Sequence, residues 1–260
     1  MVLLSFDIEE FDMPFEYDRV ISFEEQIRIS TEGTLTILDL LKKNNLKATF
    51  FCTVTFAKNA AAVIRRIVAE GHELASHGYY HSEFKNEHLL SSRLALEEIS
   101  GQQVSGYRMA RMMPVDEKEI KEAGYIYNSS INPTWLPGRY NNRHISRTWF
   151  MQSGVIQLPA SVSPLTRFPL FWLSFHNLPL WFYIHLARKT YEKDGYLNIY
   201  FHPWEFTDLR NRERFGFPGY VSKNSGRQMI ARMDKFMKWI NKRNYRNGTI
   251  TEFIQQVTIE

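Results

Sequence analysis

Two histidines four residues apart, His77 and His81, enclose Gly-Tyr-Tyr directly after a short apolar run. At this spacing one helical turn puts both imidazoles on one face, which suits a zinc-type cation. Asp7, Glu9, Glu10 and Asp12 crowd four carboxylates into six residues behind the apolar run that opens the chain. Strand alternation directs Asp7 and Glu9 to the same side. Like charges this close repel unless a cation neutralises them, so the cluster invites a metal. Asp12 reads better as part of a solvated acidic loop. His202 heads a His-Pro-Trp-Glu turn behind another apolar run, where imidazole can be general acid, ligand or buried packing residue. Arg108 also follows a short run, and there it could clamp a carboxylate or stabilise developing negative charge.

The elements that must position these residues alternate along the chain. Runs at 2–6, 48–55, 73–76, 107–109, 125–128, 154–158 and 196–201 read as strands. Periodic patterns at 24–44, 57–70, 89–99, 115–123, 225–243 and 251–257 read as helices, the first with Ile27, Leu35, Leu38 and Leu41 facing inward. Gly71, Gly101 and Gly124 stand where helices stop. Such alternation implies the α/β class, with parallel strands and helices outside. About seven units suit a single distorted (β/α) barrel, which places its chemistry at the C-terminal ends of its strands. The His77, Arg108 and His202 segments and the acidic cluster all fall there. No repeat, low-complexity stretch or linker divides the chain, so residues 1–260 read as one catalytic domain.

Composition narrows the classes further. Of 260 residues, 44% are hydrophobic and 23% charged, which excludes disorder and coiled coil. The net charge of +4 comes without any Lys/Arg run, so no nucleic-acid partner is expected. One cysteine, Cys52, excludes a disulfide framework and a cysteine-based zinc site. The N-terminus shows neither a basic n-region nor a small-residue cleavage site, so a cytoplasmic location is expected. Residues 164–187 are long and apolar but broken by Arg167, Pro169, His176 and Pro179. They read as an irregular insertion packed on the barrel. The alternative is an exposed patch that meets a membrane or a lipid-linked substrate.

Taken together, these segments resemble the polysaccharide deacetylase family, the metal-dependent deacetylases of chitin, peptidoglycan and related sugars. Ser5-Phe-Asp7-Ile-Glu9-Glu10 is similar to its first motif and His77-Gly-Tyr-Tyr-His81 to its second. Tyr107-Arg108 is similar to the third, and Tyr200-Phe-His202-Pro-Trp-Glu205 to the fifth. The resemblance implies Asp7 as catalytic base, held by Arg108, and His202 as catalytic acid. It implies one divalent metal on Glu9, His77 and His81, zinc first, with cobalt, nickel or iron as alternatives. Tyr79, Tyr107 and Trp204 are the aromatics placed to stack on a sugar ring.

Departures from the family pattern carry their own expectations. Ile8 separates the carboxylates of the first motif, which leaves Glu9 as the expected ligand and Glu10 in reserve. Asn128 stands where the fourth motif often has an aspartate that pairs with the catalytic histidine. Asn128 can hold His202 by a hydrogen bond but cannot stabilise its protonated form as a carboxylate would, so either Glu205 or Asp208 substitutes or the acid is weaker. The usual proline after Arg108 is absent. The implied reaction removes N-acetyl, or O-acetyl, groups from a sugar or glycan intermediate in surface polysaccharide biosynthesis. Two alternatives use the same barrel: hydrolysis of small ureide-like amides, and a non-catalytic carbohydrate-binding relic. A non-haem iron oxygenase fits less well, because its close histidine–carboxylate pair usually sits on an all-β fold.

Overall fold

The computed structural model describes residues 1–258. Its strands are β1 (Val2–Ile8), β2 (Thr49–Cys52), β3 (Glu73–Ser76), β4 (Gly106–Tyr107), β5 (Tyr127–Asn128), β6 (Trp135–Leu136), β7 (Tyr140–Asn141), β8 (Phe150–Gln152), β9 (Val155–Gln157), β10 (Leu197–Phe201) and β11 (Asn247–Gly248). The main sheet runs β10-β1-β2-β3-β4-β5-β9-β8, with β11 added beside β1. Every pairing from β10 to β9 is parallel, and β8 closes the series as an antiparallel hairpin with β9. The expected distorted barrel of about seven parallel strands is therefore the fold found.

Every residue of β1 is buried, as a central parallel strand covered on both faces requires. Its alternation sorts two environments. Leu4, Phe6 and Ile8 pack outward against the helices, whereas Leu3 faces inward with Phe51, Ala75 and Tyr127. Ser5 and Asp7 share the parity of Leu3, so the barrel interior becomes polar toward its C-terminal rim. The sheet does not close by strand pairing between β9 and β10. Asn198 spans the gap instead: its Nδ2 donates to Leu158 O (3.2 Å), Pro159 O (3.1 Å) and Ser129 Oγ (3.1 Å). One backbone bond, Ser161 N–H to Asn198 O at 2.8 Å, completes the seam.

The helices are α1 (Phe23–Asn44), α2 (Val54–Asn59), α3 (Ala61–Ala69), α4 (Glu87–Ser100), α5 (Glu117–Glu122), α6 (Trp172–Asn177), α7 (Leu180–Asp194), α8 (Arg212–Phe215), α9 (Gly219–Ser222), α10 (Arg227–Lys242) and α11 (Ile250–Val257). Ser22 starts α1 by accepting the Glu25 N–H, and Asn45 ends it in the left-handed region. Leu38 and Leu41 are buried as expected; Ile27 and Leu35 are only partly covered. The single helix expected over 57–70 is two. Thr53 leaves the strand to cap α2 through the Phe56 N–H, and Ala60 breaks the run at φ −133°, ψ 40°. An unbroken apolar pattern carries no mark of that kink. The strands expected at 48–55 and 107–109 are correspondingly shorter.

Residues 164–187 form α6 and the first half of α7, and they pack on the barrel. Phe175 meets Phe201 at 5.1 Å and Phe236 at 5.6 Å between ring centroids. Trp181, by contrast, is 72% exposed. Among the described residues no helix is long and apolar enough to cross a membrane.

Gly33 on α1 lies against the turn that follows His202. A Cβ at residue 33 would fall 2.0 Å from Pro203 O, a backbone atom with little room to retreat. Gly33→Ala should therefore lower stability by about 1–3 kcal/mol, as overpacking does. A melting curve unchanged from that of the parent chain would contradict this close approach.

Candidate metal centre and active site

Arg108 sits at the end of β4 with no solvent exposure. Its Nη1 donates to Asp7 Oδ1 (2.6 Å) and Ser5 Oγ (2.9 Å). Its Nε and Nη2 donate to Ser129 O (3.0 Å) and Ser129 Oγ (2.9 Å), and the guanidinium lies 3.9 Å over the Phe51 ring. Each guanidinium nitrogen has a partner, which is what makes a buried guanidinium tolerable. Asp7 is thereby fixed at the rim of β1.

Glu9, one residue beyond β1, turns its Oε2 to His77 Nε2 (3.2 Å) and His81 Nε2 (3.0 Å). Both imidazoles are anchored through their other nitrogen. His77 Nδ1 meets Arg108 O at 2.8 Å, and His81 Nδ1 meets Asp12 Oδ1 at 2.7 Å. Each anchor is an acceptor, so each Nδ1 carries a proton; a cation at this point would meet the Nε2 lone pairs of the neutral rings, and without one the His81 Nε2 takes up a second proton facing Glu9. The ligand-type atoms of Glu9, His77 and His81 lie within 4.8 Å of one another.

The His77–His81 segment is not the helical turn expected. It is a loop in which Gly78 takes φ 94°, a left-handed conformation that favours glycine, and the two rings still lie nearly parallel at 5.8 Å. Glu10 does not join the cluster. It accepts from Thr53 Oγ1 (2.7 Å) and from the His81 N–H (2.9 Å), tying the loop to the cap of α2. Asp12 is buried rather than solvated, because His81 and Arg111, 3.5 Å from Oδ2, compensate its charge.

Electrostatics follow this geometry. Burial would raise the Glu9 carboxyl, but His81 and the hydrogen-bond contacts of both imidazoles hold it well below the usual carboxylate range. Burial would lower His81; Glu9 and Asp12 outweigh it and push the imidazole up to about 10. With an ordinary value near 6.5, His81 lacking a cation beside it therefore stays protonated until well above neutral pH.

Across the cavity stands His202, at the end of β10. Its backbone N–H donates to Glu205 Oε1 (2.6 Å), and its Nδ1 lies 3.2 Å from the same oxygen. Burial opposes the charged imidazole, yet Glu205 raises its pKa, with Glu9 and Asp7 adding to the effect. Asn128 does not hold His202. It donates to Gln157 Oε1 (2.9 Å) and accepts from Ser130 Oγ, leaving Glu205 as the carboxylate partner. Asp208 also lies apart, exposed and paired with Arg210.

Three aromatics were expected at the sugar subsite, and only Trp204 lines the cavity. Its ring stacks on His202 at 4.8 Å. Tyr107 is wholly buried with its hydroxyl on Met109 Sδ, and its ring does not line this cavity. Tyr79 binds Lys58 Nζ at 2.7 Å and lines a neighbouring depression. Phe171, Trp172, Tyr140 and Tyr200 take their place around the cavity. No local motif marks Phe171, Trp172 or Tyr140, although the first two lie in the apolar insertion; Tyr200 opens the segment similar to the fifth motif.

A carboxylate held by Arg108, a cation-ready triad and an imidazole beside Glu205 share one barrel rim, the arrangement that the motif resemblance implies. Comparison agrees: residues 2–125 match the family model described as polysaccharide deacetylase, and the resemblance read from the motifs holds. A chitooligosaccharide deacetylase of Bradyrhizobium is 44% identical over 50 residues, 19% of this chain and 23% of that protein. The peptidoglycan-N-acetylmuramic acid deacetylase PdaA of Bacillus subtilis is 30% identical over 102 residues, 35% of this chain and 39% of that protein. The chain thus matches well under half the length of these relatives. Among solved structures, PuuE allantoinase superposes with a TM-score of 0.62 at 14% identity, covering 93% of this chain and 84% of that one. A peptidoglycan N-acetylglucosamine deacetylase gives 0.54 at 16% identity, covering 96% and 86%. At these identities the shared property is the fold.

Alanine at His77 or His81 should abolish stoichiometric zinc uptake. Asp12→Asn, which keeps the shape but weakens the His81 anchor, should reduce zinc affinity roughly 10–100-fold. Calorimetric titration with zinc checks both; an Asp12→Asn affinity equal to that of the parent chain would remove the anchoring role.

Proposed function

We propose that this chain is a metal-dependent carbohydrate N-deacetylase. The observation that carries the reading is the opposition, across one aromatic-lined cavity, of Asp7 on Arg108 and His202 on Glu205, with Glu9, His77 and His81 between them. The fit to a divalent cation rests on Glu9 Oε2. It is buried with only two imidazole nitrogens beside it, and the anchored tautomers present those nitrogens as lone pairs. A carboxylate oxygen and two imidazoles would hold such a cation and leave positions open, as in catalytic zinc sites. When bound there, it supplies Lewis acidity toward an acyl carbonyl and lowers the pKa of water.

The chain's own groups divide the proton transfers. Asp7, oriented by Arg108, accepts the proton of the attacking water at its free carboxylate edge. The tetrahedral species expels an amine only if the nitrogen is protonated, and His202 gives that proton from Nε2 while Nδ1–H stays on Glu205. Trp172 and Tyr200 offer apolar surface to a sugar ring, while Trp204, stacked between Phe11 and His202, backs the imidazole. The deacetylase relatives support a sugar amide as substrate. The insertion, with Phe171, Trp172 and Leu173 at the cavity, supports a substrate that continues into an apolar or lipid-linked portion, as surface polysaccharide assembly would use. Exposed Trp181 and Leu165 on that insertion fit peripheral membrane contact.

Acetate release from N-acetylglucosamine, chitooligosaccharides and a ureide, with and without chelator, tests the reading. Chelator-sensitive release from a sugar is expected. Release from the ureide alone would replace the carbohydrate assignment. Asp7→Asn should lower kcat by about 10²–10⁴-fold while zinc content persists. The basic limb of the rate profile should lie above 6.5, the ordinary imidazole value. Glu205→Gln should move that limb down, because the raised His202 pKa depends on the carboxylate charge.

A further inference from the structure

The apolar insertion brings a second, fully buried histidine to the acid side of the cavity. His176, on α6, places Nε2 3.2 Å from Glu205 Oε2, and neither residue has any solvent exposure. Glu205 is thus shared: Oε1 serves the backbone N–H and Nδ1 of His202, and Oε2 faces His176. Among the described residues no other acceptor is in reach of His176: its Nδ1 is buried without a partner, and its Nε2 meets Oε2 as a close, fully buried contact rather than a well-aligned hydrogen bond. The ring is boxed in by Trp172, whose indole lies edge-on to both His176 (6.1 Å) and His202 (5.5 Å). Asn224 holds the backbone of α6 by donating to His176 O. Arg232 does likewise at Phe175 O (2.5 Å) and Leu178 O (2.8 Å).

We propose that His176 is a positioning residue for His202, acting through Glu205. Its Nε2–H holds Oε2, keeps Oε1 on His202, and takes up part of the carboxylate charge that would otherwise bind the His202 proton too tightly. The inference rests on the deacetylase reading for its catalytic meaning, but the coupling between the two histidines does not. The physical reason is a balance. An acid flanked by a buried, singly partnered carboxylate stays protonated but is a poor donor. A second hydrogen bond to that carboxylate weakens it as an acceptor and leaves His202 a stronger acid. The other charged and titratable groups around the pair are Asp7 and Glu9 across the cavity, Tyr183 from α7 and Arg232 from α10. Among the described residues only the His176 ring approaches Oε2. The insertion acquires a purpose beyond covering the barrel, since α6 carries the residue that tempers the acid.

The test is histidine-selective ¹⁵N NMR titration of the zinc-loaded chain, together with rate profiles on an N-acetylated sugar. In His176→Phe the His202 midpoint should rise by about 0.5–1 pH unit, the scale of one hydrogen bond to a charged group. At neutral pH kcat should fall roughly 10-fold with KM unchanged, the low end of the range for removing a supporting hydrogen bond at a site. His176→Gln, whose amide N–H can reach Oε2, should restore both values. Should His176→Phe fail to fold, His176→Asn, too short to reach Oε2, carries the same expectation. An unchanged His202 midpoint in either short or apolar variant overturns the proposal, as does a His176→Gln variant shifted equally. A shifted midpoint in a chain that hydrolyses no N-acetylated sugar would uphold the coupling and defeat the deacetylase reading instead.

Discussion

One buried charge pair organises the rim of this barrel. Arg108 is enclosed by the sheet, where an unpaired guanidinium would cost several kcal/mol, so its surroundings must supply acceptors on every side. Asp7 of β1, Ser5 of the same strand and Ser129 beyond β5 do so, which ties the ends of β1 and β5 to a side chain carried by β4. Its carbonyl also receives His77 Nδ1–H. Asp7, the proposed base, and one of the imidazoles facing Glu9 are therefore aligned by the same residue, and loss of Arg108 would disturb both.

The opposite wall repeats the device with different chemistry. Glu205 is a buried carboxylate between two imidazoles, and burial, which would raise its pKa, is outweighed by His176 and His202. The two halves of the site thus hold one carboxylate against a guanidinium and one against histidines. A guanidinium cannot give up its proton, so it fixes Asp7 as an acceptor. Histidines can, so Glu205 shapes a donor. The proposed base and acid are set apart by the permanence of their partners' charge.

Much of the arrangement was legible in the sequence because chemistry demanded special residue types at strand ends. Asp7, Glu9, His77, His81, Arg108 and His202 stand out there against apolar runs, and the structure brings all six to one cavity or its wall. What escaped were features set by long-range contact. Asp12 looked solvated because nothing local shows that His81 folds back on it. Tyr107 looked like a stacking residue because a strand end does not reveal which way its ring points. The break at Ala60 is invisible in an apolar helix pattern, and the choice of Glu205 over Asn128 depends on how one turn folds. His176 was read only as an interruption of the insertion, since its partner lies 29 residues away in sequence (205 − 176).

The central claim is that Glu9, His77 and His81 form one cation site between a fixed base and a tuned acid. Zinc K-edge absorption of the zinc-loaded chain tests it most directly. The account predicts a shell of nitrogen and oxygen neighbours at about 2.0–2.2 Å with the outer-shell signature of two imidazoles and no sulfur. A spectrum without imidazole scattering, or one unchanged when both His77 and His81 are replaced, would contradict it.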